Sequence, residues 1–515
     1  GTVTDATGHY FLKNLPEGNF VLEISSVGYK TISRNVTLKK GKTLEENFEI
    51  EEDAIALDGV VVSANRSETT RRLAPTLVNV VDLKLFETTN SSTLSQGLNF
   101  QPGVRVETNC QNCGFQQVRI NGLDGPYTQI LIDSRPVFSA LLGVYGLEQI
   151  PASMIERVEV MRGGGSALFG SSAIAGTINI ITKEPLRNSG RLSHTITSIG
   201  GSSSFDNNTS LNASLVTDDH RAGLYIFGQN RHRSGYDYDG DGFTELPKLK
   251  NQTVGFRSYL KTSTYSKLTF EYHHMQEFRR GGDMLNRPPH EAHIAEQLQH
   301  SIDGGSLKYD YFSPDEKNRL SVFASAANTD RDSYYGPGND PLKAYGKTTD
   351  LTAMGGAQYV HSFDKLLFMP SDLTAGLEYN RDRLKDNMWG YDRHTDQTVN
   401  IYSAFLQNEW KNKHWGILIG GRLDKHNMVD DIIFSPRANL RFNPTDNINL
   451  RLSYSSGFRA PQAFDEDMHI ENVGGTVAMI ERAKDLKEEK SQSFSMSADM
   501  YHRFGAFQVN FLVEG

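Results

Sequence analysis

This 515-residue chain contains one stretch whose residue types and spacing could bind a metal ion. The stretch offers carboxylates at positions 1, 3, 5 and 9 of a calcium-type loop, a glycine at position 6 and a backbone carbonyl at position 7; in that order they are Asp237, Asp239, Asp241, Glu245, Gly242 and Phe243. Position 12 is Lys248 instead of a bidentate glutamate, which excludes an EF-hand. The pattern predicts a calcium site of modest affinity, and the alternative is an acidic turn that binds nothing.

Histidines form a second group of candidate ligands. His290 and His293 are ligand-binding candidates from a histidine-rich stretch that also contains His273, His274 and His300. Solvated loop histidines are the alternative. No serine has a partner histidine and acid at a recognisable spacing, so we expect no enzyme. The net charge of −9 argues weakly against nucleic-acid binding.

The elements that would position these residues are amphipathic strands. From about residue 191 apolar and polar residues alternate, as in residues 448–454, and short turns alternate with long loops. Transmembrane β-barrels sort their loops in this way, with short periplasmic turns and long extracellular loops. The chain also lacks an apolar run of the roughly 20 residues that a transmembrane helix needs. The pattern predicts about fifteen barrel strands, and a large secreted β-sandwich is the alternative.

Between residues 65 and 186 the chain carries a specific series of motifs. They are "QPGVRV", "VRINGLDGPYTQILIDSRPVF" and "IPASMIERVEVMRGGGSALFGSSAIAGTINIITK". This series resembles the plug domain of TonB-dependent outer-membrane receptors. A phosphate-binding loop is disfavoured, because no Lys-Ser/Thr pair or long helix follows the triple glycine. Upstream, "TDATGHYFLKNLPEGNFVLEISSVGYK" resembles a carboxypeptidase-regulatory-like domain.

The resemblance implies a mainly β fold with four regions. These are a small N-terminal β-sandwich (1–50), a linker (51–64), an α/β plug (65–186) and a transmembrane antiparallel barrel (187–515). The family's barrels have about 22 strands, so we expect the barrel here to be incomplete and the chain to be part of a longer protein. The linker is expected to contain a docking strand, that is, a segment that can pair with a strand of a partner protein. Its β-branched run suits pairing with a partner strand and occupies the place of the TonB box; the segment comprises Leu57, Asp58, Gly59, Val60, Val61, Val62 and Ser63. A linker strand within the N-terminal module is the alternative.

Export implies an oxidising compartment, in which Cys110 and Cys113 are expected to form a short-loop disulfide. A soft-metal or substrate contact is the alternative. The stretch that begins Phe458-Arg459-Ala460-Pro461 is similar to a box of the family's loops, and His469 follows where haem-uptake members place their haem ligand. The second box departs from the family pattern. Arg459 and His469 are therefore ligand-binding candidates.

The resemblance implies import of a scarce metal chelate, namely a ferric siderophore, haem or cobalamin, across the outer membrane of a Gram-negative bacterium. The implied partners are the TonB–ExbB–ExbD complex, the chelate and outer-membrane lipid, with no covalent cofactor. Two alternatives stay open. One is an oligosaccharide or nutrient importer that works with a surface lipoprotein, and the other is a non-transporting adhesin or porin.

Overall fold

The computed structural model describes residues 10–12, 15–24, 32–50, 59–67, 69–110, 112–136, 142–315, 317–337, 344–473, 476–505 and 507–515. The N-terminal part contains an antiparallel hairpin of β1 (Gly18–Ile24) and β2 (Ile32–Leu38). Along β1, half-buried and exposed side chains alternate, so the hairpin packs through one face only.

The plug region is a mixed sheet with short helices around it. Its elements are β3 (Val60–Val61), β4 (Thr69–Thr70), β5 (Asn79–Asp82), α1 (Leu83–Thr88), α2 (Leu94–Leu98), β6 (Val104–Cys110), β7 (Phe115–Ile120), β8 (Thr128–Ile132), α3 (Leu142–Gln149), β9 (Ile155–Arg162), α4 (Ser166–Phe169) and β10 (Gly176–Thr182). Single 3₁₀ turns lie at Gly125–Tyr127 and Ala152–Met154. Four strands form a sheet in the order β5-β9-β10-β8, in which only β8 and β10 run parallel. Its central residues Val158, Val160, Ile178 and Ile180 are fully buried, which makes this sheet the core of the plug.

The remainder is one antiparallel sheet of 15 strands, which confirms the predicted barrel strands. Strands that follow one another in this sheet pair in sequence order, and the strand that begins at Ile448 pairs across a long loop with the strand that begins at Glu489. The strands are β11 (Ser189–Ser198), β12 (Phe205–Val216), β13 (Ala222–Arg233), β14 (Lys248–Ser263), β15 (Ser266–Gly282), β16 (Ile294–Phe312), β17 (Asn318–Pro337), β18 (Tyr345–Leu366), β19 (Met369–Met388), β20 (Arg393–Lys411), β21 (Trp415–His426), β22 (Ile433–Thr445), β23 (Ile448–Arg459), β26 (Glu489–Phe504) and β27 (Phe507–Glu514).

The connections between these strands include a few further short elements. The long loop holds α5 (Asp465–Met468), β24 (Ile470–Val473) and β25 (Thr476–Met479), and 3₁₀ turns lie at Pro289–Glu291 and Trp389–Tyr391. None of the helices among the described residues is long and apolar enough to cross a membrane.

The sheet is apolar outside and charged inside, the reverse of a water-soluble protein. Leu377, Leu406 and Ile419 are more than half exposed on the outer face. On the inner face, large charged side chains are almost completely buried, namely Arg231, Arg279, Arg331 and Arg441. Such an alternation suits a wall with lipid on one side and a polar lumen on the other.

The strands are longer than the sequence predicted, and the loops are correspondingly shorter. β18 has 22 residues and β17 has 20, against an expected length near ten. Much of the predicted loop sequence 230–252, 275–304 and 330–348 is therefore strand. Short turns and long loops still alternate as predicted: turns such as 264–265 and 446–447 are short, and residues 460–488 form a long loop. Above a membrane both faces of a strand are polar, so the sequence there resembles a loop.

Buried ion pairs connect the plug to the barrel wall. Glu148 of α3 contacts Arg231, Arg233 and Arg279 at 2.6–3.0 Å. Burial raises the pKa of Glu148, but these three guanidinium groups outweigh it and hold the pKa well below its usual range. The plug therefore fills the lumen as a charge-matched insert.

Arg66, which precedes the plug sheet, offers a test of this insert, because it pairs with Glu378 of β19 while Arg422 of β21 contacts the same carboxylate at 2.7 Å. All three side chains are at most 6% exposed. Glu378→Gln leaves the buried Arg66 without its carboxylate partner and removes one of the two carboxylates that contact Arg422, the other being Asp424 at 2.8 Å. The change should destabilise the seated plug by about 3–5 kcal/mol. The measurement is the urea concentration at which residues 59–182 become sensitive to protease.

Asp364→Asn is the matched control for that experiment. Asp364 forms an exposed pair with Lys317, which should contribute at most about 1 kcal/mol. Equal shifts in the two variants would contradict a plug held by buried charge.

Candidate metal and ligand sites

Four metal-ligating side chains meet at the interface between the plug and the wall. Cys110 ends β6, Cys113 lies in the following turn, Glu296 lies on β16 and His469 directly follows α5. One donor atom from each lies within 4.8 Å of all the others. The site thus joins three parts of the chain that are distant in sequence.

Local backbone geometry brings the two sulfurs together. The amide of Gly114 donates to the carbonyl of Cys110 at 3.0 Å, and Gly114 has a φ of +68° that favours glycine. The Cys113 amide donates to the Cys110 sulfur at 3.3 Å. The turn therefore directs both thiols to the same side, towards the wall.

Each donor also contacts a donor from another segment. The Cys110 thiol donates to Glu296 Oε2 at 3.2 Å, and Cys113 Sγ lies 3.4 Å from His469 Nε2. That same nitrogen lies 3.4 Å from Glu296 Oε2. Apolar groups surround the cluster: the rings of Phe115 and Tyr335 are both centred 5.4 Å from the imidazole ring.

The cluster perturbs two of its own members. A hydrogen bond from the Cys113 side chain, helped by His469 and opposed by burial, lowers the pKa of Cys110 to about 7. Burial disfavours the charged form of His469, but hydrogen bonds to Cys110 and Glu296 outweigh it and raise its pKa to about 10. At neutral pH the site therefore holds an imidazolium beside a partly ionised thiol.

Two expectations differ from this geometry. Cys110 and Cys113 do not form the expected disulfide in the structure, and each sulfur has a partner outside the turn. His469 is only 10% exposed, and its Nε2 faces a sulfur and a carboxylate. A haem ligand needs an accessible ring nitrogen, and these two contacts occupy Nε2 of His469.

The other predicted ligands do not converge with His469 in the structure. His290 contacts the Tyr345 hydroxyl at 2.9 Å, and His293 contacts Asp283 at 2.6 Å. The guanidinium of Arg459 lies 4.4 Å above the Phe464 ring. His273 and His274 lie on β15 and His300 on β16, so the predicted histidine-rich loop is mostly strand.

The acidic loop between β13 and β14 is partly organised as predicted. Carboxylate oxygens of Asp237, Asp239 and Glu245 lie within 4.8 Å of one another. Asp237 accepts hydrogen bonds from Gly240 and Gly242 at 2.7 and 2.9 Å. Asp241 instead accepts from the Phe243 amide at 2.8 Å and is outside the three-carboxylate group.

The docking-strand segment is described from Gly59 onward; Leu57 and Asp58 lie outside the described residues. Val60 and Val61 pair with Thr70 and Thr69 in a two-stranded sheet. Val61 and Ser63 are completely buried. The segment is therefore seated at the start of the plug, which differs from a linker strand of the N-terminal module.

One buried carboxylate accepts two backbone hydrogen bonds at the end of this segment. Glu159 of β9 is completely buried, and its Oε2 accepts from the amides of Val62 and Ser63 at 2.9 and 2.8 Å. Its other oxygen accepts from Arg157 at 2.9 Å. Nothing in the sequence singled out Glu159 or Glu296, although an acidic residue at a buried position of a strand is a usable signal.

Family models match three parts of the chain. The TonB dependent receptor-like β-barrel model covers residues 180–511 and the TonB-dependent receptor plug domain covers residues 70–177. The chain is a TonB-dependent receptor. The CarboxypepD_reg-like domain matches residues 1–62 of the receptor, as its N-terminal resemblance predicted.

Curated relatives of the receptor are named as transporters. The receptor is 25% identical to the vitamin B12 transporter BtuB of Vibrio vulnificus over 424 residues, which is 79% of this chain and 64% of that protein. It is 24% identical to the vitamin B12 transporter BtuB of Photobacterium profundum over 88% of this chain and 68% of that one. The receptor thus spans about two thirds of the length of these relatives.

Solved structures share the fold of the receptor. The siderophore receptor PirA from Acinetobacter baumannii matches with a TM-score of 0.69 and 18% identity, over 85% of this chain and 70% of PirA. The ferric enterobactin receptor PfeA from Pseudomonas aeruginosa matches with a TM-score of 0.68 and 18% identity, over 84% of this chain and 70% of PfeA.

The perturbed thiol gives a direct test of the four-residue cluster. In the receptor, alkylation of Cys110 by iodoacetamide should rise with a midpoint near pH 7, because the thiolate is the reactive form. His469→Ala removes a group that lowers the pKa of Cys110, so the midpoint should move to higher pH. Mass spectrometry of the Cys110 peptide measures it.

His394→Ala is the matched histidine control, because His394 is exposed and contacts Asn387. An unchanged midpoint in His469→Ala would show that the imidazole does not act on the thiol.

Proposed function

We propose that this receptor imports a scarce metal chelate across the outer membrane of a Gram-negative bacterium, with energy supplied by TonB. Family membership and relatives named as vitamin B12 transporters support the proposal. The observation that carries it is the seated segment at Gly59–Ser63, which lies at the start of the plug and donates two backbone hydrogen bonds to Glu159.

Release of this segment would begin transport. Capture of the chelate by extracellular loops and plug turns would shift the plug and weaken the hold of Glu159 on Val62 and Ser63. The freed residues have exposed backbone donors and acceptors, which a partner strand of TonB can pair with. Pulling on that strand would disturb the charge-matched insert and open a path.

The chelate would pass between the plug and the wall. A cavity of about 170 Å³ lies there, lined by Gln117, Gln129 and Ser171 of the plug region and by Asp382 and Gln462 of the barrel region. Drug-sized ligand pockets have volumes of about 300–1,000 Å³. This cavity is therefore too small to hold a chelate and would mark a route that widens as the plug moves.

We propose cobalamin or a ferric siderophore as the chelate, and the relatives named as vitamin B12 transporters support the first of these. Haem loses support because His469 is enclosed by Cys113 and Glu296. An oligosaccharide importer with a surface lipoprotein would show uptake of glycan and none of the chelates. A passive porin is disfavoured by the buried pairs that hold the plug, such as Glu148 with Arg231.

Glu159→Ala tests the proposed release. It leaves the buried amide of Ser63 and the partly buried amide of Val62 without their charged acceptor, and the loss of a buried bond costs about 1–3 kcal/mol. The seated state should therefore give way to the released state, and the periplasmic domain of TonB should capture the variant at least about tenfold more without chelate. Pull-down from detergent-solubilised membranes measures the capture.

Glu156→Ala is the matched control. Glu156 lies on the same strand, is 43% exposed and forms an ion pair with Arg157 at 2.9 Å. Equal capture of both variants would contradict the role of Glu159.

In a second experiment, deletion of Asp58–Ser63 should abolish growth when a ferric siderophore is the only source of iron or when cobalamin must be imported. Persistent growth on these sources would overturn energised import.

We also propose that the acidic loop binds calcium through Asp237, Asp239 and Glu245. Mutual repulsion of three carboxylates within 4.8 Å would be relieved by a divalent cation.

Asp237→Asn should weaken calcium binding at least about tenfold relative to wild type. Isothermal calorimetry with calcium chloride measures this, and Asp364→Asn, near the end of β18, is the control. Absence of any calcium heat in the wild type would overturn the site.

A further inference from the structure

The cluster of Cys110, Cys113, Glu296 and His469 has no part in the proposed release of the seated segment. It lies at the rim that carries the long loop 460–488. The segment lies near the opposite rim, where Arg72 contacts Asp446 of a short turn at 3.0 Å. The cluster therefore needs an explanation of its own.

Its donor spacing resembles that of a tetrahedral metal site. With usual bond lengths to sulfur, nitrogen and oxygen, the donors around a zinc ion are about 3.4–3.8 Å apart. Three of the donor pairs here lie 3.2–3.4 Å apart, and the whole set lies within 4.8 Å. Small side-chain movements would suffice to place an ion at the centre.

The donor chemistry selects the ion. Two sulfurs, an imidazole nitrogen and a carboxylate oxygen are the ligands that zinc accepts, whereas calcium and magnesium require oxygen alone. Four protein ligands fill a tetrahedral shell and leave no open position, as in sites that hold structure together. Phe115, Leu298, Tyr335 and Ile470 form an apolar wall that limits the access of water.

We propose that these four residues bind a resident divalent cation of the zinc class, which fastens the long loop and the barrel wall to the apical turn of the plug. The ion would take the place of the protons that the four groups now share. This role is separate from the imported chelate, and it does not depend on TonB.

The wall is shaped to admit the cysteine turn. A Cβ at Gly281 of β15 would lie 1.7 Å from the carbonyl oxygen of Asn112, between the two cysteines. Gly281 is also the strand partner of Glu296. The missing side chain therefore lets the turn approach the strand that carries the carboxylate.

Metal binding by the reduced, chelator-treated receptor tests the proposal directly. Titration with zinc chloride in detergent should give about one ion per chain by mass spectrometry of eluted metal. Cobalt chloride should give the absorption of thiolate-bound tetrahedral cobalt. Cys110→Ser and Glu296→Gln should each lower the affinity for zinc at least about tenfold, and Cys110→Ser should also weaken the cobalt–thiolate band.

Glu291→Gln and His394→Ala are the matched controls, since both side chains are exposed and contact none of the four donors. Resistance of each purified variant to protease shows whether its barrel is folded. The proposal is overturned if folded Cys110→Ser binds zinc as the wild type does, if the reduced wild type binds none, or if receptor isolated from membranes carries a Cys110–Cys113 disulfide without metal.

A variant that keeps all four donors separates positioning from ligation. Gly281→Ala should push the cysteine turn away from Glu296 and weaken zinc binding, whereas Gly228→Ala on β13 meets only an ordinary contact at 3.6 Å. Zinc should also slow amide hydrogen exchange in residues 464–470 of the wild type and less so in Gly281→Ala. Unchanged exchange on zinc addition would contradict the fastening role.

Discussion

Buried charge inside the barrel is the constraint on which the rest of the structure depends. A wall that exposes leucine and isoleucine outside must place its polar residues inside, and arginines such as Arg231 and Arg279 are almost completely buried there. An unpaired charge in such surroundings costs several kcal/mol. The plug supplies the opposite charges, as Glu148 does, so wall and plug stabilise each other. A path through the lumen can open only when some of these pairs separate and water replaces them.

The plug contacts its surroundings at two distant places, one near each rim of the barrel. At one rim Glu159 holds the segment through which force could enter. At the other rim the cysteine turn contacts the wall and the long loop through Glu296 and His469. In the proposed mechanism, force applied at the first rim would act against contacts at the second. An ion at the cysteine turn would keep that end closed while the remainder of the plug moves.

The fold was largely predictable from the sequence, whereas the site was only partly so. Alternation in segments such as 448–454 gave the strand count, because lipid on one side imposes period two regardless of tertiary detail. Strand ends were missed, since lipid does not constrain the residues outside the membrane. The sequence indicates Cys110, Cys113 and His469 as separate candidates but does not show that they form one site. Their meeting depends on the pairing of β15 with β16 and on the path of the long loop, neither of which local sequence encodes. Glu296 was missed because one glutamate in an alternating strand reads as a lumen residue.

The central claim is that the receptor moves its chelate only when energy reaches the plug. The most direct measurement is uptake of radiolabelled cobalamin or ferric siderophore by cells that carry the full-length receptor, before and after collapse of the proton-motive force. The account predicts that accumulation falls to the level of surface binding after collapse, while binding itself is retained. Accumulation that continues unchanged after collapse would contradict it.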